Sequence, residues 1–110
     1  MQIMTLSKLL ECIGTLNWRG KVFFPSTKQL SKQSFIAVLE AHDIEESQTV
    51  KLCVSSYALT CKLPVSTVQD IVENAKLQIE NIYSEDLIKA VKFYINNDAF
   101  IDLIDKIDDI

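Results

Sequence analysis

The stretch Ser31-Lys32-Gln33-Ser34-Phe35-Ile36-Ala37-Val38-Leu39-Glu40-Ala41-His42 lies between a connector that holds Gly20 and Pro25 and a long run of helical patterning. Its reading decides the fold class. Phe35, Ile36 and Leu39 fall at i, i+1 and i+4, one side of a helix starting near Ser31 and ending around His42. With this segment helical, the chain is helical almost from end to end.

Upstream, Leu6, Leu9, Leu10, Ile13 and Leu16 form one apolar stripe, with Thr5 placed to cap it. Residues 17–30 are the connector, in which Val22, Phe23 and Phe24 make either a short extended piece or a plug for the core. Downstream, Asp43 or Ser47 caps a helix whose stripe is Val50, Cys53, Val54, Tyr57, Ala58 and Cys61, ended by Pro64. Ser66 and Gln69 fit a capping box ahead of Val68, Ile71, Val72, Ala75, Ile79, Ile82 and Tyr83. Ser84 caps a fifth helix with Glu85 and Asp86 in its first turn, a Glu85–Lys89 pair, and the stripe Leu87, Ile88, Val91, Tyr94 and Ile95.

A last stripe, Phe100, Leu103, Ile104 and Ile107, lies about 170° around the axis from the preceding one if the helix runs on straight. Either the chain breaks at Asn96-Asn97-Asp98, with Asp98 capping a separately packed C-terminal helix over 98–110, or the helix continues and meets a second surface such as another subunit. The break is preferred, because Asn and Asp form helices weakly and cap them well. The expected architecture is therefore all-α, a compact single-domain bundle of five or six short antiparallel helices over residues 1–110.

Composition agrees with one folded domain. The 110 residues are 48% hydrophobic and 24% charged, and two Gly and two Pro are too few for the turns of an all-β sandwich or barrel. No apolar run approaches the roughly 20 residues that span a bilayer, and Lys8 and Glu11 interrupt the first apolar pattern, so no secretory signal or membrane partner is expected. An odd set of three cysteines without paired spacing points to a reducing, cytoplasmic setting.

The net charge of −4 hides a gradient. In residues 1–39, Lys8, Arg19, Lys21, Lys28 and Lys32 face only Glu11, whereas residues 40–97 and 98–110 each carry a net −4. The two signs complement one another within one fold, across two copies, or against charged partners.

Little of this resembles catalysis. Cys12, Cys53 and Cys61 have no metal-ligand spacing, His42 is the single histidine, and no phosphate loop, dinucleotide fingerprint or nucleophile elbow occurs. Neither an enzyme nor a cofactor or metal is expected. Residues 58–68 resemble a helix-turn-helix in their Val-Ser and Thr-Val pairs, but the pairs are not separated and Pro64 stands where the turn glycine belongs. The second helix would also present Asp70, Glu73 and Glu80 to phosphates, so nucleic acid is disfavoured.

Protein contact remains. Trp18, Arg19, Lys21, Phe23 and Phe24 concentrate the single Trp and single Arg with two Phe in the longest connector, and Trp and Arg are enriched in binding hot spots. The alternative is that the rings cap the bundle core. Leu52, Leu59, Leu77, Phe93 and Ile101 fall off their stripes and would form an interaction patch if exposed together. The expected function is a small non-enzymatic protein–protein interaction module (an inhibitor, immunity-type protein, chaperone or small subunit) that binds another protein or a second copy of itself. Two other readings are a nucleic-acid-associated regulator using the basic first third, and a phosphate-mimicking inhibitor using Asp102, Asp105, Asp108 and Asp109.

Overall fold

The computed structural model describes residues 1–103. Its strands are β1 (Gln2–Thr5), β2 (Lys21–Phe24), β3 (Phe35–Leu39) and β4 (Cys61–Pro64). Its helices are α1 (Leu6–Cys12), α2 (Gln48–Ser56), α3 (Val65–Gln78) and α4 (Ser84–Asn97), with short 3-10 turns at Ile13–Thr15 and Thr27–Gln29. The chain is thus α+β, and the all-α bundle is corrected by a four-stranded antiparallel sheet of order β1-β3-β2-β4.

The decisive segment is a strand. Phe35-Ile36-Ala37-Val38-Leu39 matched three helical positions, but Ala37 and Val38 are as buried as Ile36 and Leu39. A strand covered on both faces reads as an unbroken apolar run and shows no alternation. Ile36 and Val38 point into the larger core, while Ala37 and Leu39 point into a smaller one on the opposite face. β2 behaves alike, with Val22 and Phe24 on the first face and Phe23 on the second. Register pairs Val38 with Gln2 on one side and with Val22 on the other.

Handedness then distributes the helices. β1 and β2 run parallel with β3 between them and are joined through α1; β3 and β4 run parallel with β2 between them and are joined through α2. The two crossovers step the same way across the sheet along strands of opposite direction, so the right-handed rule requires their helices on opposite faces. That is the arrangement found: α1, joined by α3 and α4, packs on the first face, and α2 alone packs on the second.

Several local expectations hold. Thr5 caps α1 by accepting from the Lys8 N–H, and Ser47 caps α2 by accepting from the Val50 N–H. Others are corrected. α2 stops at Ser56 because Ala58 takes the left-handed conformation (φ 51°), with the Leu59 N–H returning to the Val54 carbonyl. Cys61 to Pro64 is consequently strand, and no helix-turn-helix exists there. α3 opens at Val65 without a side-chain cap. Gln69 does not close a capping box; its amide donates to the Ile13 and Leu16 carbonyls at 2.9 Å each, satisfying the end of the α1 segment. Ser84 is the first residue of α4 and not its cap, and Glu85 pairs with Lys32 in place of Lys89. α4 ends at Asn97 with Asp98 as its left-handed C-cap, and residues 98–103 are not helical. The remainder of the expected 98–110 helix, residues 104–110, lies outside the described residues. Among the described residues no helix is long and apolar enough to cross a membrane.

Candidate functional site

The sheet is covered unevenly, and the gap lies beside α2. This nine-residue helix seats Val50 on Phe23, Ala37, Leu39 and Leu59, with Cys53, Val54, Ile3 and Met1 half-buried around them. On the β2 side the helix leaves a groove of about 440 Å³, floored by Phe23 and Leu59 and walled by Val50, Val54 and Ala58. Glu45, Glu46, Lys51, Ser55 and Thr60 form its polar rim.

One carboxylate organises that rim. Glu45 accepts from Lys21 Nζ at 2.7 Å and from Lys62 Nζ at 2.9 Å, tying the loop before α2 to strands β2 and β4. The Lys62 ammonium also stands 6.0 Å above the Phe23 ring. The hydrogen bond from Lys21, followed by that from Lys62, holds the Glu45 carboxyl below its ordinary value of 4.5. Because the folded form binds its proton more weakly, the stabilisation is complete above pH 4.5 and is lost as pH falls through the lower folded value. Glu45→Gln is therefore expected to be less stable than the parent at pH 7 and nearly equal to it in strong acid, checked by urea unfolding midpoints across that range. A stability gap that stays constant with pH would show the clasp to be energetically idle.

The α2 face carries exposed apolar side chains outside the groove as well. Phe35 and Tyr57 meet edge to face at 5.8 Å beside Pro25, Leu52 projects from the helix, and Ile44 tops the preceding loop; Phe35, Tyr57, Leu52 and Ile44 are exposed. Edge strand β4 carries Lys62 and Pro64, and a charge and a missing N–H on an edge discourage strand addition. The surface is thus suited to side-chain contact.

The predicted contact residues are dispersed. Trp18 is 60% exposed on the turn before β2, with the Arg19 guanidinium 5.1 Å from its ring centroid. Lys21 belongs to the Glu45 clasp, and Phe23 is the groove floor, 8% exposed. Phe24 is fully buried on the opposite face of the sheet, so it is withdrawn from any partner. Asp102 is exposed near the end of the described residues, and Asp105, Asp108 and Asp109 lie outside them. Of the off-stripe residues, Leu52 and Leu77 are exposed but belong to α2 and α3 on opposite faces, whereas Leu59 and Ile101 are buried. Phe35 and Tyr57 were missed because each fitted a helical stripe and so read as core.

The charge gradient is partly cancelled inside the fold, since Lys21 pairs with Glu45 and Lys32 with Glu85. Glu40, His42 and Asp43 bring ligand atoms within 4.8 Å of one another on the loop after β3, but His42 is 77% exposed there. Comparison with the curated proteins and with the solved structures yields no match. A family model described as a domain of unknown function (DUF7716) matches residues 3–103, from β1 to the buried Leu103, and the chain belongs to that family.

Proposed function

We propose that the protein is a small non-enzymatic interaction module that engages another protein through its α2 face. The observation that carries this reading is the uneven covering of the sheet. Three helices bury one face, while the other carries only α2, with an apolar-floored groove beside that helix and Phe35, Leu52 and Tyr57 exposed elsewhere on the same face. An apolar centre with aromatic side chains and a polar rim is the anatomy of a protein interface. The single histidine is exposed on a loop, where its described neighbours are the carboxylates of Glu40 and Asp43. Three free, half-buried cysteines suit a reducing compartment, and we place the protein in the cytoplasm on that ground.

The test is quantitative retention of a partner from the native host by the parent chain, by Leu52→Arg with Tyr57→Ala, and by Leu77→Arg as a control. Leu77 is 81% exposed on α3, away from the α2 face. The expected result is a stoichiometric partner held by the parent and the control and lost, by at least about tenfold in affinity, from the α2 variant. Equal retention by all three, or no stoichiometric partner, overturns the reading. Unchanged circular dichroism separates lost binding from lost fold.

A further inference from the structure

On the other face of the sheet the chain already shows a segment captured in a groove. After Asn97 it turns at Asp98 and runs back with Phe100 and Asp102 exposed but Ile101 and Leu103 buried, the alternation of an extended strand. Gln78, in the last turn of α3, reads the backbone of that segment. Its amide nitrogen donates to the Ile101 carbonyl at 2.8 Å, and its amide oxygen accepts from the Leu103 N–H at 2.7 Å. The same nitrogen donates to Asn74 Oδ1 at 2.8 Å, which fixes the orientation of the amide. Phe100 packs on Tyr94 of α4 with ring centroids 5.5 Å apart. These parts make a site for an extended segment: an amide that mimics one rung of a β-ladder, and two apolar seats spaced by two residues.

We propose that two copies of the chain exchange residues 99–103, each segment occupying the α3–α4 groove of the other copy. The described contacts of Phe100, Ile101 and Leu103 are all made by residues beyond one hinge, so a second copy supplies the same contacts, which is the condition for low-cost segment exchange. That hinge is Asp98, an exposed non-glycine residue in the left-handed region (φ 53°, ψ 39°), flanked by exposed Asn96 and Asn97. Straightening it relieves the left-handed conformation. The groove lies on the sheet face opposite α2, so this inference stands or falls independently of the partner surface.

The hinge is the place to test it. Asp98→Ala disfavours the left-handed turn and Asp98→Gly favours it, a difference on the order of tenfold per hinge and more for a dimer with two. Light scattering from micromolar to millimolar concentration is expected to show most dimer for Asp98→Ala and least for Asp98→Gly. Isotope-filtered nuclear Overhauser spectra of mixed labelled copies of Asp98→Ala are expected to link the Leu103 methyls of one chain to the Gln78 amide of the other. Asp98→Ala that stays monomeric at millimolar concentration, or a dimer in which those signals are only intramolecular, overturns the proposal.

Discussion

Phe24→Ala is expected to lower the unfolding free energy by about 3–5 kcal/mol, the range for emptying a large aromatic seat in a close-packed core. Phe24 is 0% exposed and belongs to the cluster of Leu6, Leu9, Ile36, Val68, Ile71 and Val91 that joins the sheet to α1, α3 and α4. No neighbour is free to collapse into the space, because the sheet backbone and three helices frame it. Trp18→Ala, six residues earlier, removes an exposed ring and its contact with Arg19 and is expected to cost less than about 1 kcal/mol. Phe23→Ala should fall between them, since the cluster under α2 holds fewer residues. Urea unfolding followed by far-ultraviolet circular dichroism measures all three. A Phe24→Ala chain as stable as Trp18→Ala would place that ring outside the core. The series separates residues that the sequence groups in one aromatic connector but that the sheet sends in three directions.

That separation shows what the sequence makes legible. Helices with one buried face were readable in part. α1, α3 and α4 sit on one face with Leu6, Leu9 and Leu10, with Val68, Ile71, Val72 and Ala75, and with Leu87, Ile88 and Val91 buried, and Thr5 and Ser47 cap as their hydroxyls suggest. But α1 ends before Ile13 and Leu16, and α3 ends at Gln78, short of Ile79, Ile82 and the exposed Tyr83. The central strands were not readable, because a strand buried on both faces loses the two-residue alternation that would reveal it. Phe35 to Leu39 then offered enough matches to a helical period to be absorbed into a bundle. β1 and β4 are only four residues each, and β4 continued the stripe of α2 through Cys61. The end of α2 was hidden for a chemical reason: the left-handed residue that terminates it is Ala58, where a glycine would have announced the stop.

The site was legible in pieces. Leu52 stood out as an apolar residue off its stripe, and Lys21 and Phe23 were singled out, although as partner contacts and not as a clasp and a floor. What no periodicity could supply was the face to which α2 belongs. That follows from strand order and crossover hand, which exist only after the long-range pairings are known.

Gly20→Ala is expected to cost about 1–3 kcal/mol, and Gly20→Val more, although the backbone at this residue is one that any amino acid adopts. The reason is proximity. A Cβ built at Gly20 falls 2.7 Å from the Leu39 carbonyl oxygen, 3.2 Å from a Val65 methyl and 3.3 Å from the Asn17 carbonyl oxygen. The nearest of these is backbone at the end of central strand β3 and cannot swing aside. Gly20 cannot retreat either, because its N–H donates to the Asn17 carbonyl at 3.0 Å and its carbonyl accepts from the Val65 N–H at 2.9 Å. Relief therefore requires breaking one of those bonds or parting β2 from β3 where Lys21 pairs with Leu39. Gly14 supplies the control within the same chain. A Cβ there meets nothing within 4 Å, so Gly14→Ala is expected to be neutral or to add about 0.4–1 kcal/mol by restricting the unfolded chain. Thermal and urea unfolding of the two variants should shift in opposite directions or, at the least, diverge by the cost at Gly20. If both alanines are tolerated equally, the turn, β3 and the start of α3 do not converge at this point, and the strand order that leaves the α2 face open loses its anchor.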